Sequence, residues 1–275
     1  MSKSNRVVSI EWAKNANGGT NKAVSFGGTE IPVIAGPCSI ENREHLLETA
    51  QAVKASGATV LRGGIFKMRT SDKSFQGLGT GAYSFINEVK AQVGMPLVSE
   101  VVDPRQISDM HDFVDMFQVG SRNMYNYSLL KELGATKKPV MLKRGFSATV
   151  DEWLKAADYV LNGGNPNLIL CERGIRSFET TTRNTLDLNS VAYIKAHSDL
   201  PIIVDPSHGT GRPELIKPMS LAAIAAGADG LIIEVHPRPS EALSDGHQAL
   251  TFDMFDEVVR AADLVAKAVG RRLAH

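Results

Sequence analysis

Cysteine is scarce in this chain. Its two residues, Cys38 and Cys171, stand far apart, and the opening stretch MSKSNRVVSIEWAKN has neither the apolar core nor the small-residue cleavage site of a secretory leader. A structural disulfide is therefore not expected, and both side chains are read as reduced thiols. No apolar run reaches 18 residues, which excludes a long helix of the kind that spans a bilayer. An excess of charge of one sign is also missing. The 30 Lys and Arg are matched by 30 Asp and Glu, which argues against a nucleic-acid or membrane-surface partner held by bulk charge. Short metal signatures such as CxxC or HxxxH are absent too. What is left is a cytoplasmic globular protein with no nucleic acid and no membrane among its partners.

What is present is a rhythm. Short apolar, β-branched runs recur at 31–36 (IPVIAG), 58–63 (ATVLRG), 96–101 (PLVSEV), 115–120 (DMFQVG), 139–144 (PVMLKR), 167–172 (NLILCE), 201–206 (PIIVDP) and 230–235 (GLIIEV). Near-continuous runs of this length suit strands buried on both faces of a parallel sheet. Stretches with helical spacing lie between them, among them NREHLLETAQAVKAS and DEWLKAADYVLN, and Gly57, Gly134 and Gly227 read as helix stops. Eight such units without a linker, in a chain close to the roughly 250 residues usual for the architecture, predict an α/β fold of the (β/α)8 TIM-barrel type. Residues 1–30, with GGT and FGG flanking NKAVS, predict a short N-terminal β-hairpin extension. Residues 31–275 then form the catalytic barrel, with no regulatory domain expected.

Barrel enzymes keep their chemistry at the C-terminal ends of the strands. There the eight runs deliver Cys38, Arg62, Glu100, Arg122, Lys143, Glu172 with Arg173, Asp205 with His208, and Glu234 with His236. Any single strand end can be polar simply because it emerges into solvent. Eight in succession around one mouth call for a ligand. Arg62, Lys67, Arg69, Arg122, Lys143 and Arg173 converge with few carboxylates in sight, so the ligand carries several negative charges, and phosphate or carboxylate groups suit Arg and Lys. Cys38, His208, Glu234 and Asp245 supply one S, one N and two O donors, a set that would hold Mn²⁺, Fe²⁺, Co²⁺ or Zn²⁺. By spacing alone, a buried apolar thiol and a hydrogen-bonded core histidine explain Cys38 and His208 as well. Cys171 has no such companions and reads as packing.

The motifs AGPCSIEN, LRGGIFKMRTS, SFQGLG, GSRNMYN, LKRG, CERGIRSFETTTRNTLDL, DPSHGTGR and EVHPRPSEALSDG together resemble the type I beta class of 3-deoxy-D-arabino-heptulosonate 7-phosphate synthase, from about residue 30 to the C-terminus. The resemblance implies a metal-dependent barrel that condenses phosphoenolpyruvate with erythrose 4-phosphate and releases phosphate, the first step of the shikimate route. It implies that Cys38, His208, Glu234 and Asp245 hold a divalent ion, with Mn²⁺ first in expectation. Arg62 and Lys67 would face the carboxylate of phosphoenolpyruvate, and Arg122, Lys143 and Arg173 its phosphate. Arg69, Thr70 and Ser71 would meet erythrose 4-phosphate, with Asp205 and Pro206 along its hydroxyls. Glu100 would orient the attacking water, and Lys67 or His236 would transfer protons. A homodimer or homotetramer is implied, and a separate regulatory protein or chorismate mutase is compatible as a partner.

The sequence departs from the family at Met68, where Pro is usual between the Lys and the Arg, and at His247, where Pro or a small residue is usual. A looser loop at Met68 bears on sugar affinity or choice. The nearest rival, 3-deoxy-D-manno-octulosonate 8-phosphate synthase, typically has an Asn before the equivalent Arg and Ser-Ser after it. Here one residue separates Lys67 from Arg69, and Thr70 follows, which favours the four-carbon sugar. A catalytically silent barrel acting through a protein partner is the reading of a different class.

Overall fold

The computed structural model of the chain describes residues 5–12 and 23–275. Strands β1 (Val8–Ile10) and β2 (Val24–Phe26) pair antiparallel, as expected of the N-terminal hairpin. Its connection, including the GGT expected at a turn, lies outside the described residues. A short strand β3 (Glu30–Ile31) leads into the barrel strands β4 (Val33–Gly36), β5 (Val60–Arg62), β6 (Leu97–Glu100), β7 (Met116–Val119), β8 (Val140–Lys143), β9 (Leu168–Glu172), β10 (Ile202–Val204) and β11 (Leu231–Glu234). These eight close in the order β10-β11-β4-β5-β6-β7-β8-β9, all parallel, and each falls within one of the predicted apolar runs. β12 (Arg272–Leu273) pairs with β3. No helix among the described residues is long and apolar enough to cross a membrane.

Period-two alternation decides what faces inward. Ile34, Val60, Val98, Met116, Met141, Ile169, Ile203 and Ile232, one from each barrel strand, form the inner layer with Cys171, and Val8, Ile10, Val24 and Phe26 of the hairpin complete that cluster. Two residues farther along, the same face carries Arg62, Glu100, Gln118, Lys143, Asp205 and Glu234. The alternate set, including Val33, Leu61, Leu97, Phe117, Leu142 and Leu170, packs outward against the helices. Apolar floor and polar mouth are thus one pleat apart. Cys171 is a packing residue, as its lack of companions suggested.

The helix Arg43–Ala55 starts where Asn42 accepts a hydrogen bond from the His45 amide at 2.8 Å, and the helix Val150–Asn162 starts with a capping box of Thr149 and Glu152. Gly57 and Gly227 follow helix ends at φ 107 and φ 100, the left-handed conformation that stops a helix. Gly134 does something else. It lies inside the helix Tyr127–Ala135, where an added Cβ would stand 2.9 Å from the Gly163 Cα, so its missing side chain lets two helices touch.

Candidate active site

The strand ends and the loops that follow them enclose a cavity of about 220 Å³, lined by Lys67, Arg69, Thr70, Ser71, Glu100, Gln118, Arg122, Lys143, Phe146, Arg173, Arg183, His208 and Asp245. Most of the expected residues meet here. Three do not. Asp205 is fully buried beneath the wall and Pro206 begins the helix Pro206–Thr210, so neither offers a surface to sugar hydroxyls. His236 is buried to one side, its Nε2 3.4 Å from Glu41. Glu172 likewise faces outward, accepting from Arg144 at 3.0 Å between sheet and helix. His247 is exposed.

Cys38, His208 and Glu234 bring one donor atom each into a single buried group. His208 Nε2 stands 3.7 Å from Cys38 Sγ and 3.8 Å from Glu234 Oε2, and Cys38 Sγ stands 3.3 Å from Asp245 Oδ2. A tetrahedral ion with bonds of about 2.0 to 2.3 Å sets its ligand atoms roughly 3.3 to 3.8 Å apart, so Cys38, His208 and Glu234 fit a divalent cation, with Asp245 beside Cys38 as the candidate fourth ligand. Their supports fit as well. Asp205 Oδ2 lies 2.9 Å from His208 Nδ1, which places that ring's proton on Nδ1 and leaves Nε2 as the donor. Gln248 donates to Glu234 Oε2 at 2.7 Å while its own carbonyl accepts from Arg183 at 2.6 Å. Asp245 takes φ 54, alone among the described non-glycine residues in the left-handed region, which aims its carboxylate back at Cys38.

Burial sets the protonation of this group. It pushes the Cys38 thiol up to about 11 and the Glu234 carboxyl up to about 7, and it holds His208 well below the usual imidazole range. Asp205 and Asp245 go the other way. Burial works against their ionisation, yet the hydrogen bond from His208 and the charge of Lys143 hold Asp205, and Lys67, Arg183 and Arg69 hold Asp245, well below the usual carboxylate range.

Glu41, His45 and His236 form a second cluster of donor atoms. Here His236 Nδ1 accepts from the Arg238 amide at 3.1 Å, so its proton sits on Nε2 and points at Glu41. The pairing is a histidine–carboxylate hydrogen bond rather than a ligand set. It ties His236 away from the cavity.

The cations divide into two kinds, contrary to the expectation that carboxylates are few. Lys67 Nζ stands 2.6 Å from Cys38 Sγ, 3.8 Å from Asp245 and 4.0 Å from Glu100; Arg69 reaches Asp245 at 3.2 Å, and Lys143 reaches Asp205 at 2.6 Å. Among the described residues, Arg62, Arg122 and Arg173 pair with no carboxylate. Arg62 Nη1 is buried without a partner, Arg122 donates only to Thr70 Oγ1 at 3.1 and 3.3 Å, and Arg173 has the Gly174 carbonyl at 3.4 Å. Burial lowers Arg173 to about 10. Two buried guanidinium groups, Arg62 and Arg173, and the exposed one of Arg122, none paired with a carboxylate among the described residues, suit an anion site.

Gln118, Phe146, Arg183 and Gln248 belong to the site without having been singled out from the sequence. Gln118 follows Met116 by two residues on the inward face, so strand parity would have found it. Arg183 and Gln248 lie in loops, and nothing in their spacing marks them.

The sequence pattern of the DAHP synthetase I family matches residues 13–269. The phospho-2-dehydro-3-deoxyheptonate aldolase of Thermotoga maritima is 49% identical over 247 residues, spanning 90% of this chain and 73% of that protein. A crystal structure of the Thermotoga enzyme, a DAHP synthase, superposes with a TM-score of 0.90 at 44% identity, covering 98% of this chain and 76% of that one. The 2-dehydro-3-deoxyphosphooctonate aldolase of Nitrobacter hamburgensis is 31% identical over 268 residues, spanning 90% of this chain and 93% of that protein.

Proposed function

This chain belongs to the DAHP synthetase I family, and we infer that it condenses phosphoenolpyruvate, erythrose 4-phosphate and water to 3-deoxy-D-arabino-heptulosonate 7-phosphate and phosphate. The observation that carries the assignment of its residues is one cavity lined both by His208 and Asp245, which join the buried Cys38 and Glu234, and by Arg122 and Arg173, which pair with no carboxylate among the described residues. Arg62 and Lys67 take the carboxylate of phosphoenolpyruvate, and Arg122, Lys143 and Arg173 take its phosphate. Arg69, Thr70 and Ser71, at the outer rim, take the phosphate of the sugar. Asp205 acts beneath them by holding Lys143 and His208 in place.

A divalent ion on the four donors, with Mn²⁺ as our choice over Fe²⁺, Co²⁺ or Zn²⁺, supplies Lewis acidity toward the aldehyde oxygen when bound. The chain does the rest by placement and charge. Two multiply charged anions repel each other, and the ring of cations holds both close enough for C3 of phosphoenolpyruvate to bond to the aldehyde carbon. Lys67, whose neighbours Cys38, Glu100 and Asp245 support this role, protonates the oxygen that the aldehyde becomes. Glu100 on the cavity wall orients the water that adds at C2, after which phosphate leaves by C–O cleavage. A homodimer or homotetramer in the cytoplasm completes this reading.

Exhaustive chelation tests it. Phosphate release from the two substrates together should stop and should return on adding Mn²⁺. Undiminished release from protein shown by metal analysis to be empty would defeat the assignment of the donor set.

A further inference from the structure

Three guanidinium groups share one aromatic ring. The Cζ atoms of Arg122, Arg173 and Arg176 lie 5.2, 4.8 and 4.9 Å from the ring centroid of Phe146, within cation–π range. The ring is half-buried and lines the cavity. Its backbone is fixed as well, since the Arg176 amide donates to the Phe146 carbonyl at 2.7 Å. Arg122 and Arg173 are two of the cations that no carboxylate among the described residues neutralises. Something must hold two mutually repelling side chains in place before an anion arrives, and among the described residues the only other polar contacts they make are to Thr70 and to the Gly174 carbonyl.

We propose that Phe146 is a positioning residue for the phosphate of phosphoenolpyruvate: its ring holds Arg122 and Arg173 by their faces and leaves their N–H groups unspent. A carboxylate at this position would hold the arginines more firmly, but it would take the same donors the phosphate needs and would repel the phosphate itself. An aliphatic side chain would fill the space without attracting either arginine. The quadrupole of an aromatic ring attracts a cation with no net charge of its own and engages the flat face of the guanidinium rather than its N–H edge. Lys67, Arg69 and Lys143, which do have acidic partners, are held by another means and make no such contact with the ring.

The inference rests on the phosphoenolpyruvate reading above, and its test separates the two. Binding of phosphoenolpyruvate, and of inorganic phosphate as a minimal probe, is measured by calorimetry on the wild-type chain and on Phe146→Leu, Phe146→Met and Phe146→Tyr, with thermal midpoints recorded for each. Loss of two cation–π contacts should weaken both ligands about tenfold in the Leu and Met variants. The Tyr variant should stay within about threefold of wild type, because it keeps the ring face. The Michaelis constant for erythrose 4-phosphate should not change in any of them. Met serves as a second aliphatic replacement should Leu not fold. Equal binding by the aliphatic and aromatic variants would overturn the role of Phe146, since a purely space-filling residue behaves that way. Failure of the wild-type chain to bind phosphoenolpyruvate at all would overturn the underlying reading as well.

Discussion

Arg69 and Asp245 are joined by an ion pair of 3.2 Å, which couples the rim of the cavity to the buried donor set. Arg69 also donates to Ser244 at 2.8 Å, so the loop bearing Lys67 and Arg69 is tied to the loop bearing Asp245.

Arg69→Ala should therefore fail selectively. It removes a charge-assisted contact of roughly 1.5 to 3 kcal/mol, so the Michaelis constant for erythrose 4-phosphate should rise at least about tenfold, while calorimetric binding of phosphoenolpyruvate stays nearly constant. Lys67→Ala should weaken phosphoenolpyruvate and lower turnover together. If Arg69→Ala instead abolished phosphoenolpyruvate binding and spared the sugar, the two anion sites would be reversed. Met68→Pro is the companion variant: by fixing φ it should tighten the sugar phosphate if the loop is merely less preorganised than in the family pattern.

The fold was legible because each barrel strand is an unbroken apolar run, and the mouth was legible because strand ends in such a barrel share one face. Individual roles were harder to read. Asp205 and His236 sit at strand ends like the others, but Lys143 and His208 claim the first and Glu41 claims the second, and such pairings depend on which side chains meet in space. Gly134 misled for a similar reason: helix stop and helix contact both require a missing Cβ, and only the neighbouring Gly163 distinguishes them. Parity, applied strictly, would have turned Glu172 outward and Gln118 inward.

Gln248 links Arg183 to Glu234, and Gln248→Leu removes that link while keeping the side chain's approximate size. Affinity for Mn²⁺, read by competition with a chromogenic chelator, should fall by about tenfold or more. Unchanged affinity would show that Glu234 is held by its strand alone.

The most direct measurement is release of inorganic phosphate from phosphoenolpyruvate by the Mn²⁺-reconstituted chain, offered erythrose 4-phosphate, arabinose 5-phosphate or ribose 5-phosphate in turn. Release should be fastest with erythrose 4-phosphate and absent when either substrate is omitted. Faster release with arabinose 5-phosphate, or none with any sugar, would contradict the account.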